Sequence, residues 1–182
     1  EARRAQDRAR TTQALLEASR AFGASIDEEA VRERLATHLA EAAKGEAVIW
    51  DGSRAFTHPR GRNLPADLIS DVEALEAAAP PDGVMTIVGG DWRARPLRAG
   101  GERLGVAAWR ALSPQAPEAE AASLVDVLID LGAGAIVRAR LSEGQAEIQA
   151  LARTEQLRNA LLSSISHDLR TPLAAILASA SS

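Results

Sequence analysis

The chain has no cysteine. That excludes disulfides, thiolate nucleophiles, iron–sulfur clusters and thioether-linked chromophores, and it fits the reducing cytoplasm in which we expect the protein to work. No apolar run approaches the roughly 20 residues that span a bilayer. The most apolar stretch, Leu124 to Val137, is broken by Asp126 and Asp130. No signal peptide is visible. Excess positive charge is also missing: the net charge of −4 gives no reason to expect nucleic acid as a partner. Nor is there a Gly-rich phosphate loop or ATP-lid motif, since Gly89-Gly90 and Gly100-Gly101 read as turn glycines without the pattern that would follow.

What is present describes a soluble domain. At 182 residues, 46% hydrophobic and 25% charged, the chain can bury a full core and carry an appendage. It begins at Glu1 and stops at Ser182 within an apolar pattern, so a piece of a longer protein is expected. Residues 3–22 read as a helix with Leu15, Ala18, Ser19 and Phe22 on one face. A second helix starts near Asp27, with Glu28 and Glu29 in its first turn and a stripe of Val31, Leu35, Leu39 and Ala42. Gly45 is its expected stop. The period then changes to that of strands: 47–50, an Asp51-Gly52 turn, and 54–57. A Pro/Gly/Arg loop over 58–65 leads to a helix over 66–79, which Pro80-Pro81-Asp82-Gly83 breaks. Strands over 84–88, 92–98 and 103–110 follow, the last two joined by the hairpin loop 99–102.

Two helices, two strands, a helix and a three-strand meander predict an α+β domain with an antiparallel sheet flanked by helices. The order is similar to that of a GAF domain. Pro96-Leu97 … Gly105-Val106-Ala107-Ala108-Trp109 resembles the GAF segment in which one strand leads through a turn to an apolar strand. PAS domains share much of this order, and the helix pair at the front favours GAF. From Ser113, a cap followed by Pro114, the chain reads as one long helix. Beyond Ile136 it carries a heptad seam: Leu141, Ile148, Glu155 and Leu162 at one core position, Gly144, Leu151, Arg158 and Ile165 at the other. We expect a parallel dimeric coiled coil with a weak polar layer at Glu155/Arg158. A surface helix packed on its own domain is the other reading. The boundary falls at 140/141: a sensor domain with its N-terminal helix over 1–140, and a coiled-coil linker over 141–182.

Phosphoryl transfer to a side chain needs an exposed nucleophile, a group to manage its proton, and freedom to meet the donor. His167, two positions after the core residue Ile165, falls on the outward face of the seam. A neutral imidazole is nucleophilic near neutral pH, since its unperturbed pKa is about 6.5. Asp168 can accept a hydrogen bond from the second ring nitrogen, and Pro172 breaks the helical ladder one turn on. Ile165-Ser166-His167-Asp168-Leu169-Arg170-Thr171-Pro172-Leu173 resembles, residue for residue, the H-box of bacterial sensor histidine kinases. The resemblance implies that His167 is autophosphorylated, that Asp168 assists, and that Thr171 stands where the family positions water during dephosphorylation. Leu162 to Ile176 and Ser179 to Ser182 look most like the potassium-responsive Kdp sensor kinases, which carry a GAF domain just upstream. By that likeness the parent is a membrane-anchored homodimer that uses ATP and Mg and passes its phosphoryl group to a response regulator. By the same likeness, residues 141–182 are a coiled-coil linker and the truncated first helix of the dimerisation and phosphoacceptor hairpin. This piece would hold the acceptor without the second hairpin helix or the ATP-binding lobe, would carry no cofactor of its own, and would leave its GAF-like domain open to an unknown small ligand. The competing reading is a non-catalytic GAF module that binds a ligand or dimerises.

Other residues are weaker candidates. His38 and His58 lack companions at metal-ligand or haem spacing. Trp50, Trp92 and Trp109 fall on three strands, where they pack a core or, as a set, line a pocket. Arg3, Arg4, Arg8 and Arg10 form either a solvated helix face or a juxtamembrane basic cluster.

Overall fold

A computed structural model describes the backbone of residues 2–25, 27–78, 80–81, 84–112 and 118–180, and the side chains of 9–25, 27–78, 80–81, 84–112 and 122–165. Its elements run α1 (Ala2–Gly23), α2 (Glu28–Ala43), β1 (Gly45–Trp50), β2 (Ala55–His58), α3 (Ala66–Ala78), β3 (Thr86–Val88), β4 (Trp92–Ala99), β5 (Glu102–Ala111) and α4 (Glu118–Ala180). The chain divides into two units, Glu1–Leu141 and Ser142–Ser182. Ser113 and Pro114, the expected cap of α4, lie outside the described residues.

The first unit is the expected α+β domain. Its sheet has five strands in the order β2-β1-β5-β4-β3, each pair antiparallel. Helices cover both faces, which is why β1 is apolar almost without alternation. Ala47 and Ile49 of β1 join Leu97, Ala107 and Trp109 in a core shared with α1, α2 and the first half of α4. Val48, from the same strand, packs on the opposite face with Trp92, Ala94, Val106 and Ala108 under Leu68, Val72 and Leu75 of α3.

Local chemistry sets the element ends. Asp27 caps α2 by accepting a hydrogen bond from Ala30 N. The expected stop at Gly45 is displaced by one residue. Lys44 takes the left-handed C-cap conformation, at φ 51°. Gly45 instead opens β1, where a Cβ would sit 2.0 Å from Arg110 O. Close approach of two strands, not helix termination, is what requires glycine there. The β4–β5 hairpin turns on Gly100 and Gly101, both at positive φ, as a two-residue primed turn demands. The strand expected over 84–88 pairs only over Thr86–Val88. On α1, Ala18 and Phe22 are buried, whereas Ser19 faces solvent.

Candidate functional site

Two regions can carry function. The first is the sheet face beneath α3. Alternation along the strands places Glu46, Val48 and Trp50 of β1 beside Ala108 and Arg110 of β5 on this side. Glu46 is only 3% exposed, yet it is a carboxylate in an otherwise apolar strand. It survives burial by pairing with two guanidiniums, Arg62 at 2.8 Å and Arg110 at 2.8 Å. Arg110 also reaches Asp91 at 3.3 Å and lies over the Trp92 ring, 5.0 Å from its centroid. Burial works against the Arg110 charge, but its bonds to Glu46 and Asp91 outweigh burial and raise its pKa. Arg62 continues into the wall of an open groove of about 520 Å³ that includes Thr57, Asn63, Leu64 and Ile69. The groove offers hydroxyl, amide and guanidinium donors over an aliphatic floor. That suits a small polar ligand better than a purely apolar one.

Trp50 donates its Nε1–H to Glu76 Oε2 on α3 at 3.2 Å. Trp92 Nε1–H is buried without a hydrogen-bond partner. The three tryptophans do not act as a set. Trp50 and Trp92 belong to the α3 face and Trp109 to the other, so the sheet itself separates them. One pocket cannot use all three, and core packing explains each.

The second region is α4. Its first half is structural, with Val125, Leu128, Ile129, Ala133, Ile136 and Ala139 all buried. Beyond Leu141 every described side chain is exposed, including Ile148, Leu151, Leu162 and Ile165 of the seam. Leu157 and Leu161 are exposed as well and fall outside the heptad positions. His167, Asp168 and Thr171 lie on the α4 backbone, but their side chains are outside the described residues.

His38, on α2, has its ring edge-on to Phe22 at 5.7 Å and its Nδ1 3.4 Å from Glu41. His58 ends β2. Among the described residues no group of three or more His, Cys, Asp or Glu side chains is arranged to hold a metal. No described helix is long and apolar enough to cross a membrane. The Glu46–Arg62–Arg110–Asp91 cluster was not foreseen from sequence, where its one visible signal is the acidic residue inside the apolar run Gly45–Trp50.

The five-stranded antiparallel sheet, with α1, α2 and α4 on one face and α3 on the other, defines a GAF-like domain. It resembles the crystal structure of the native GAF domain of the potassium sensor histidine kinase KdpD from Escherichia coli, with a TM-score of 0.57 and 18% identity, covering 74% of this chain and 99% of that one. It also resembles the GAF domain of an Acinetobacter phosphoenolpyruvate-protein phosphotransferase, with a TM-score of 0.50 and 13% identity, over 71% of this chain and 94% of that one. In sequence, the chain is 27% identical to the sensor protein KdpD of Escherichia coli K12 over 182 residues, 95% of this chain and 20% of that protein. A 43-residue stretch is 51% identical to KdpD of Mycobacterium tuberculosis H37Rv, covering 24% of this chain and 5% of that protein. No protein-family model matches the chain. The chain thus contains a GAF-like domain related to the KdpD sensor histidine kinases at low to moderate identity, and it spans only about a fifth of their length. These relationships support a role in signalling.

Proposed function

We propose that the chain is a non-catalytic signalling module whose GAF-like domain regulates what its last helix is joined to. The observation that carries this reading is the change of character along α4. The helix is a buried part of the domain core up to Ala139, and from Leu141 on its apolar residues are exposed. A helix that roots in a sensor core and then offers a seam suits passing a change of packing along its length. The groove at Thr57, Arg62 and Asn63 is the candidate place for a small polar ligand, and a second copy of the chain is the candidate partner for the seam. Titration calorimetry against a panel of small polar metabolites tests the first. Binding that Thr57→Val or Arg62→Ala weakens at least tenfold supports the groove, and binding unaffected by both removes it.

A second reading rests on the nine residues from Ile165 to Leu173. In it, His167 is the phosphoacceptor of a KdpD-like kinase, assisted by Asp168, with Thr171 acting in dephosphorylation. ATP and Mg would come from a domain outside this chain, and a response regulator aspartate would receive the phosphoryl group. The parent would be anchored in the membrane upstream, with this portion in the cytoplasm. Potassium responsiveness enters only through the relatives' name. The chain extended through a second hairpin helix, given ATP, Mg and the ATP-binding domain, should gain an acid-labile phosphate. His167→Gln should abolish it and Asp168→Asn should slow it severely. Label that persists in His167→Gln would sink this reading and leave the module reading standing.

A further inference from the structure

The pairing of β4 with β5 is irregular at one place. Leu97 faces Gly105 and Arg98 faces Arg103, so Leu104 has no partner across the ladder. This is a β-bulge, a device that bends a strand and re-aims its groups. Gly105 makes it possible. Its φ is +124°, and a Cβ there would lie 1.8 Å from Trp50 O. The Leu104 side chain, 2% exposed, enters the core beneath α2 and α4. Its carbonyl accepts a hydrogen bond from Arg32 Nη2 of α2 at 3.2 Å.

That contact belongs to a larger cluster. Arg32, 4% exposed, pairs with Glu28 one turn back. Glu28 in turn receives Arg140 of α4 through two nitrogens, Nη2 at 2.6 Å and Nε at 3.1 Å. The remaining Arg140 nitrogen, Nη1, reaches Glu102 at 2.8 Å. Arg140 immediately precedes Leu141, the last residue of the first unit. Of the two residues flanking Arg103, Glu102 holds the root of α4 directly through Arg140, and the Leu104 carbonyl holds it at second hand through Arg32 and Glu28. Arg103 points the other way, as strand alternation requires. It donates to Glu76 O on α3 at 3.4 Å, the longest link of the set. Glu76 is also the acceptor for Trp50.

We propose that residues 102–104 are the coupling joint of this domain, tying α3 and its face of the sheet to the ion cluster that holds the root of α4. Three consecutive residues touch α3, α2 and α4, so β5 cannot shift under α3 without disturbing Glu102 and the Leu104 carbonyl. The cluster transmits such a shift because it is poorly able to absorb it. Arg32 is buried, and moving Leu104 O leaves it with Glu28 and the face of Phe56, 5.9 Å from the ring centroid. This deepens the signalling reading and rests on it for the meaning of output. The coupling itself lies within residues 1–141 and holds whether or not His167 accepts phosphate.

Hydrogen–deuterium exchange on the full chain tests it. Arg140→Gln should speed exchange at the α4 amides of residues 136–141 directly. Arg103→Gln, which touches only α3, should speed the same amides roughly fivefold, the low end of typical site-to-site coupling. Trp50→Phe should act in the same direction from further away. The Arg103→Gln/Arg140→Gln double variant should exchange no faster there than Arg140→Gln alone. Arg60→Gln, which breaks an exposed pair with Glu33 outside the cluster, is the control and should leave 136–141 unchanged. The proposal is overturned if Arg103→Gln alters only α3 and the hairpin, or if the two substitutions simply add.

Discussion

Glu46 and Glu28 show how differently two carboxylates of one domain are held. Glu46 is enclosed and bound by two arginines, so truncating it leaves the partly buried Arg110 with Asp91 alone, while the exposed Arg62 can turn to water. Glu46→Ala should cost about 2 kcal/mol, less than breaking a fully buried pair from one side, read as a fall in urea midpoint. Glu28 sits at the edge of the domain, faced by Arg32 of its own helix and Arg140 of α4, with Glu102 across Arg140. The Arg140 hydrogen bond lowers its pKa below 4.5, burial opposes that, and Arg32 adds to it. A carboxylate whose folded pKa is depressed contributes stability above its unfolded pKa and loses it as pH falls through the folded value. The stability advantage of wild type over Glu28→Gln should therefore be full near pH 7 and narrow below pH 4.5. An advantage that stayed constant down to the acid transition would show that Glu28 is not stabilised as an anion.

At the scale of elements, two glycines do opposite work. Gly105 serves the bulge, and Gly105→Ala has no room for its Cβ against the β1 backbone, besides an adverse φ. Gly132 lies within α4, where glycine ordinarily costs about 1 kcal/mol against alanine. A Cβ there would meet the Leu35 side chain at 2.6 Å, and Leu35 is fully buried. Propensity favours Gly132→Ala while packing opposes it, and overpacking a filled core costs about 1–3 kcal/mol. We expect a net loss of stability in thermal melts, with Leu35→Val recovering part of it by vacating the contested space. If Gly132→Ala raised the melting temperature, α2 and α4 would be less closely packed than the contact implies.

For the whole molecule, the exposed seam makes association the property to measure. Layers of Ile148, Leu151, Leu162 and Ile165 are interrupted at Glu155 and Arg158, so a weak dimer is expected from the 182-residue chain. Leu151→Asp with Leu162→Asp should leave monomers by sedimentation, with the far-UV signature of the first unit retained. Wild type that sediments as a monomer at high micromolar concentration would count against use of the seam. Leu157 and Leu161 give the helix a second apolar edge beside the heptad one. A dimer that Leu161→Asp disrupts more than Leu162→Asp would place the contact there instead.

Much of this was legible along the chain because it depends on near neighbours. The order of helices and strands, the turn at Gly100-Gly101 and the helix start near Asp27 follow from periodicity, φ preference and charge placement within a few residues. The resemblance of residues 165–173 to an H-box is equally a matter of adjacent residues, and the phosphoacceptor role of His167 is a proposal that rests on it. What the sequence left undecided depends on residues far apart. Gly45 reads as a helix stop from its neighbours alone, whereas Arg110 O across the ladder is what requires glycine there. Nor does anything near Glu46 reveal that Arg62 and Arg110 will meet it, or that Trp109 will face away from Trp50 and Trp92. The bulge at Leu104 is likewise invisible in Glu102-Arg103-Leu104-Gly105, because it exists only as a mismatch with β4. Sequence determined which segments form elements, since hydrophobic periodicity, caps and turn residues act within a few residues of one another. Tertiary structure alone decided which charges could be buried and where α4 is held, since those depend on partners from different strands and helices meeting out of water.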